Sequence, residues 1–332
     1  MSTVKYPSNI WGLVLAAGEG SRLRGLTRND AGVIVPKQFC SLQGGPCLLQ
    51  EALQRASAVA ALQRVCSVVA EQHRPWWTPV LNYLPERNVI TQPHNRGTAY
   101  GLLLPLLRIE QRDPDALVVV LPADHYLRDE ETLAASLRRA ADLANSDPDS
   151  IYLLGMEPDA PDTELGYILP ASRSRTEAAN VLRFIEKPNE IRARVLLDQG
   201  ALWNVFIMAA PVRTLLSLFD SPYYAPTIAA MRSAENAKLE SVYRDLKSVD
   251  FSREVLQGRE SRMKVLTVPH CGWTDLGTPE RVGQILEQLE ASELSSHPYF
   301  PAHVSLADQY MRVHQGRSHP VSLPRTDARP FA

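Results

Sequence analysis

The sequence predicts an α/β fold with a mostly parallel, mixed central sheet covered by helices on both faces. Two observations carry this expectation. Short aliphatic segments alternate along the chain with longer stretches of helical periodicity, the pattern of strands buried on both sides. The first aliphatic segment also runs straight into a loop of small residues, a common arrangement at the edge of a ligand site. At 332 residues, length alone fits two domains or one large α/β unit.

The expected strands, in order, are 11–16, 65–70, 88–91, 117–121, 151–155, 181–186, 204–209 and 264–268. Each is a short run rich in Val, Leu, Ile or aromatic residues and too brief for a helix. Between them, 47–59, 98–111, 131–145, 189–199, 211–219 and 278–291 carry helical patterns. The stretch 220–262 is polar with few apolar anchors and is expected to form peripheral helices. From Ser295 onward the chain is rich in Pro and His with little periodicity, predicting a loosely held tail over 295–332. Its His297, His303, His314 and His319 lack metal-ligand spacing.

The most informative stretch is WGLVLAAGEGSRLRGLTRNDAGVIVPKQF, from Trp11 to Phe39. After the strand ending near Leu15 comes Ala16-Ala17-Gly18-Glu19-Gly20-Ser21, followed by Arg22 and then Lys37 in Pro36-Lys37-Gln38. Backbone free of bulky side chains can approach phosphate oxygens, and its N–H groups form an anion-binding concavity. Arg22 and Lys37 add the cations that a polyphosphate needs. An ordinary strand-to-turn connection is the plain alternative. The dinucleotide fingerprint is disfavoured because Leu23 stands where its third glycine belongs. Gly20-Ser21-Arg22 likewise does not close a P-loop.

Asp124 follows another expected strand in DALVVVLPADHYL, where open α/β sheets bind their ligands. A carboxylate beside a polyphosphate requires an intervening cation, and Mg2+ accepts one or two carboxylates plus phosphate oxygens and water. Capping of the following turn is an equal reading of Asp124. Asp275, between two glycines in Cys271-Gly272-Trp273-Thr274-Asp275-Leu276-Gly277, reads by itself as the N-cap of a helix near Thr278. Glu186-Lys187-Pro188 ends a further strand, and alone could be a surface ion pair worth little.

GEGSRL followed by PKQF resembles the signature of the sugar-1-phosphate nucleotidyltransferases, and PKQF in particular is similar to the mannose-1-phosphate guanylyltransferase branch. The resemblance continues in order through QPHNRGTA (92–99), LPADH (121–125), ELGYI (164–168), FIEKP (184–188), LWN (202–204) and GWTDLG (272–277). It covers roughly residues 8–290. Each motif is weak alone, but seven in the family's order are specific.

The resemblance implies a Rossmann-like three-layer sandwich of nucleotidyltransferase type. It implies a catalytic domain over 1–294, with a nucleotide half at about 8–150 and a sugar-phosphate half at about 151–290. Catalysis falls to Arg22, Lys37, Asp124 and Asp275, with Asp124 and Asp275 as the pair holding Mg2+. Leu15 to Ser21 with Gln92, Asn95, Gly97 and Thr98 would bind the nucleotide; Gly166, Glu186, Lys187 and Asn204 would bind the sugar phosphate. Partners would be a nucleoside triphosphate, GTP favoured, and a sugar 1-phosphate, mannose 1-phosphate favoured. After Glu290 too few residues remain for the isomerase barrel or β-helix that some relatives append.

Four positions at three sites depart from the family pattern. Phe206 replaces a usual glycine two residues after the Asn of the Trp-Asn pair, Ala16-Ala17 replace a frequent glycine pair, and Tyr100 replaces a frequent proline. They leave the charged chemistry intact but open the choice of base and sugar. A uridylyl-, thymidylyl- or cytidylyltransferase is therefore one alternative, and a non-catalytic regulatory paralogue that binds sugar nucleotides is another.

Composition narrows the classes. A net charge of −2 with 22% charged residues and no basic stripe argues against nucleic acid as a partner. The four cysteines, Cys40, Cys47, Cys66 and Cys271, form no C-x-x-C pair or zinc spacing and fit a reducing cytoplasm. No stretch reaches membrane-spanning length, and the apolar start at Ile10–Ala17 is too short and too close to the phosphate loop for a signal segment. Oligomeric state stays open, a homo-oligomer included.

Overall fold

A computed structural model describes residues 9–174, 176–234, 236–290 and 304–315. In chain order the elements are β1 (Ile10–Leu15), α1 (Leu48–Ser57), β2 (Val65–Ala70), α2 (Arg74–Leu81), β3 (Val89–Gln92), α3 (Gly97–Arg112), β4 (Leu117–Pro122), α4 (Glu130–Ser146), β5 (Ile151–Met156), β6 (Gly166–Pro170), β7 (Ala179–Ile185), α5 (Glu190–Asp198), β8 (Leu202–Pro211), α6 (Val212–Leu216), α7 (Ala225–Ser233), α8 (Asn236–Arg244), β9 (Met263–Val268), α9 (Pro279–Glu290) and α10 (Leu306–Gln315).

The nine strands among the described residues form one sheet in the order β3-β2-β1-β4-β8-β5-β9-β7-β6. β1 pairs in parallel with β2 and β4, and β2 with β3. β8 then runs antiparallel to both β4 and β5. β5 and β9 are parallel, whereas β6 and β7 form an antiparallel pair whose β6 also contacts β8. The sheet is thus mixed, with its parallel ladders concentrated in the first half. There, helical crossovers return each strand in the same direction.

Alternation along the strands builds the three layers. Val14, Val119, Leu121 and Leu154 face one core with α1 and α4 (Leu49, Leu53, Leu137). Leu13, Val118, Val120 and Leu153 face the other with α3 (Leu103, Leu106, Leu107) and the 212–256 region. Strands buried on both sides need no polar face, which is why they read as continuous aliphatic runs.

The structure corrects several expectations. β6 was not anticipated: ELGYI has no strand-like length, and it becomes a strand through partners 18 and 36 residues away, with Tyr167 opposite Ile185 and Trp203. α2, RPWWTPVL, carries two prolines and was not among the expected helices. Pro75 lies in the first turn, where no N–H is needed, and the Trp77 indole donates to the Ala70 carbonyl at 3.0 Å. The 220–262 stretch is helical as expected but well anchored, because Met231, Tyr243 and Phe251 are fully buried.

The tail expectation fails over 304–315. Ser41 donates its N–H to the Val304 carbonyl and accepts from the Leu306 N–H, both at 2.9 Å. Leu306 is fully buried, and α10 packs on α9. His297, His303, His319 and the His314 side chain lie outside the described residues, as does the rest of the expected tail. Among the described residues no helix is long and apolar enough to cross a membrane.

Candidate active site

The chain reverses its direction of travel across the sheet between β1 and β4, and ligands of open α/β sheets bind outside the strand ends at such a point. A cleft of about 380 Å3 opens there. A larger cavity of about 740 Å3 lies between α1 and α4, but it holds none of the expected site residues.

The loop after β1 is fixed from below. Gln38 donates its side-chain amide to the carbonyls of Ala16 and Gly18 at 2.8 and 2.9 Å. Gly20 takes a left-handed φ of 59°, and a Cβ there would lie 2.9 Å from the Lys37 Cβ. A glycine therefore lets the Lys37 turn pack against the loop. Leu15, Ala17 and Gly18 line the cleft. Ala16, Glu19, Gly20 and Ser21 do not: Ala16 is buried, and the exposed Glu19 carboxylate accepts from Gln72.

Lys37 is the centre of the constellation. Only 5% exposed, it sets its ammonium 2.8 Å from Asp124 Oδ2 and donates to the Asp275 carbonyl at 2.7 Å. Paired backbone bonds between Tyr126 and Thr274, 2.9 and 3.0 Å, tie the two acid-bearing loops together. Burial would push the Asp124 carboxyl up, but the Lys37 ammonium and then His125 outweigh it and hold it below its ordinary value. Burial pushes the Asp275 carboxyl up, against Lys37 and the Gly277 N–H. Arg281 of α9 pairs with Asp275 and with Asp162. The exposed Arg22 guanidinium pairs with Glu164 at 2.8 Å, across the cleft mouth.

His125 was not singled out by the sequence. Its Nδ1 accepts from the Trp273 indole at 3.1 Å. Burial pushes its pKa down to about 4, with Asp124 opposing and Lys37 and Arg55 adding to the fall, so the ring is neutral at pH 7. Arg55, buried on α1, donates to the His125 carbonyl and pairs with Glu130 and Glu51, bracing the Asp124 loop.

Gln92, Asn95, Gly97 and Thr98 all line the cleft. Asn95 joins this stretch to the loop by donating to the Ala17 carbonyl at 3.3 Å. Gly97 has φ 83°, and a Cβ there would stand 2.3 Å from the Val249 carbonyl. On the opposite wall are Gly166, Glu186, Lys187 and Asn204. A Cβ on Gly166 would reach within 2.5 Å of the Glu186 carboxylate, so glycine is what admits that side chain. Burial pushes the Glu186 carboxyl up to about 7, Asp250 adding and Lys187 opposing.

Among the described residues, three that are not glycine have left-handed backbone: Lys187 (φ 48°), Phe206 (φ 56°) and Leu276 (φ 46°). Each adjoins or belongs to the cleft wall, where strain is held by surrounding structure. Phe206 sits where the family pattern has glycine and packs against Phe251 with ring centroids 5.8 Å apart.

The profile of the nucleotidyl transferase family matches residues 11–292. Mannose-1-phosphate guanylyltransferase of Escherichia coli K12 is 36% identical over 298 residues, covering 82% of this chain and 58% of that protein. The xanthan biosynthesis protein XanB of Xanthomonas campestris is 29% identical over 85% of this chain and 60% of its own length. The chain thus spans less than two thirds of these relatives. Among solved structures, mannose-1-phosphate geranyltransferase from Thermus thermophilus superposes with a TM-score of 0.71 at 26% identity, covering 83% of this chain and 79% of that one. With the match running from β1 to the end of α9, the chain belongs to the nucleotidyl transferase family.

Proposed function

We propose that this chain is a sugar-1-phosphate nucleotidyltransferase that joins GTP and mannose 1-phosphate into GDP-mannose and pyrophosphate. The observation that carries the reading is the meeting of Lys37, Asp124 and Asp275 from three distant segments at one cleft. The names of the relatives favour guanosine and mannose.

A phosphate oxygen of the sugar 1-phosphate attacks the α-phosphorus. The bond from that phosphorus to the β-phosphate bridging oxygen breaks, and pyrophosphate leaves with the electron pair. The phosphate monoester has a second pKa near about 6, so it enters as a dianion and no general base is needed. Positioning and charge compensation remain as the sources of rate. Lys37 and Arg22 neutralise the triphosphate and the leaving group, while Lys187 orients the attacking phosphate. Glu186 and Asn204 accept and donate hydrogen bonds to sugar hydroxyls. Asp124 and Asp275 offer the hard oxygens that suit Mg2+, and no cluster of three or more ligating side chains exists among the described residues. The remaining ligands would therefore be phosphate oxygens and water, this ion's usual preference. Bound there, the metal supplies positive charge to the phosphate oxygens.

The test is pyrophosphate release by the purified protein with magnesium, four nucleoside triphosphates and the 1-phosphates of mannose, glucose and N-acetylglucosamine. GTP with mannose 1-phosphate is expected to be the preferred pair. Nucleotide binding without turnover of any pair would instead make this a regulatory sugar-nucleotide-binding protein.

A further inference from the structure

Each charged group proposed to meet metal or triphosphate already has a partner from this chain. The Lys37 ammonium lies 2.8 Å from Asp124 Oδ2 and is tethered by the Asp275 carbonyl at 2.7 Å. Arg281 engages the Asp275 carboxylate, and Arg22 engages Glu164. Lys37 is 5% exposed, so water screens its charge poorly and its field acts strongly on anything that approaches Asp124. A divalent cation entering alone meets a fixed positive charge beside the carboxylate it needs. A triphosphate changes that balance, because its oxygens offer Lys37 a second anionic partner and also share the cation.

We propose that Lys37 is the resident counter-ion of Asp124 and yields that carboxylate to a divalent cation only when a triphosphate takes up its ammonium. Metal and nucleotide are thus held as one unit, and free metal is turned away. Arg22 makes the same exchange at the cleft mouth, leaving Glu164 for the triphosphate. The inference rests on the nucleotidyltransferase reading above, because the exchange needs a polyphosphate. It concerns what Lys37 does before substrate arrives and assigns it a gating part in addition to phosphate binding.

The experiment is Mn2+ binding to the full chain, followed by the electron paramagnetic resonance of the free ion, with and without GTP. Without nucleotide the wild type is expected to hold Mn2+ weakly, and GTP should tighten it. Lys37→Gln removes the charge but keeps a donor for the Asp275 carbonyl. It should bind Mn2+ alone roughly ten- to a hundredfold tighter than wild type, the value of one charge-assisted contact. Lys37→Arg should stay as weak as wild type, and adding Asp124→Asn to Lys37→Gln should abolish the gain. Lys37→Met, of similar length and uncharged, is read in the same way should the glutamine variant not fold. Unchanged or weaker Mn2+ binding in the folded uncharged variant would overturn the proposal. Failure of wild type to bind any triphosphate would instead sink the functional reading, and the nucleotide-free Mn2+ comparison separates the two failures.

Discussion

At the scale of single residues, two lysines of like charge line one cleft in different settings. Lys37 is buried and held between the acid-bearing loops, whereas Lys187 is exposed at the end of β7 with a left-handed backbone. Lys187→Ala should therefore raise the KM for the sugar 1-phosphate by roughly ten- to a hundredfold, the equivalent of about 1.5–3 kcal/mol for a charged hydrogen bond. GTP binding should be nearly unchanged. Lys37→Ala should weaken the triphosphate side instead. Equilibrium titration with GTP, combined with steady-state kinetics in each substrate, decides the matter. Equal loss of GTP affinity in both variants would remove FIEKP from the sugar side. Phe206 belongs to this scale as well. A bulky residue at φ 56° costs about 1–2 kcal/mol, and packing on Phe251 offsets part of it, so the ring is retained on the cleft wall at the position where the family pattern has glycine.

At the scale of elements, α10 shows how a stretch without evident periodicity becomes ordered. Leu306 enters a fully buried position and the preceding residues bond to Ser41, just after the Lys37 turn. Leu306→Ala should cost about 2–5 kcal/mol, as removal of a fully buried leucine side chain does. Chemical denaturation of the full chain measures it, and a loss below about 0.5 kcal/mol, the usual bound for surface substitutions, would mean that the helix contributes little to the fold. The same logic applies to α9. Its Arg281 reaches Asp275, so the helix that α10 covers is also the one that orients an acid of the site.

At the scale of the whole molecule, two half-buried acids each contribute stability that is lost as pH rises. Burial pushes the carboxyls of Glu51 and Glu186 from 4.5 up to about 7. The unfolded chain releases these protons near 4.5, so between there and about 7 the native state binds more protons than the unfolded one, and stability falls as pH rises. The contribution is fully present below the unfolded value and lost through the folded one. Glu186→Gln should shrink the difference in unfolding free energy between about pH 5 and pH 8 by on the order of 1–3 kcal/mol. Glu51 adds a contribution of the same sign, while His125, depressed from 6.5 to about 4, opposes both below about 6.5, so the change made by the substitution is what is read. Denaturation curves at the two pH values give the answer directly, and an undiminished difference would show that Glu186 is ionised in the folded protein.

What the sequence by itself determined is the local chemistry: the aliphatic strands, the small-residue loop after β1, and the acids placed beyond strand ends. These are legible because close backbone approach, burial on both faces and strand-terminal charge each demand particular residue types within a few positions. Only the tertiary structure decided which charges meet. The bond from Lys37 to the Asp275 carbonyl joins residues 238 apart, and nothing local distinguishes Asp275 from a helix cap. His125, Arg55 and Arg281 acquire their parts through contacts with distant loops, while β6 and α10 exist because long-range partners satisfy their backbone and bury their apolar side chains. The physical reason is that an ion pair or a sheet ladder is a property of two segments, and only folding brings the second one within reach.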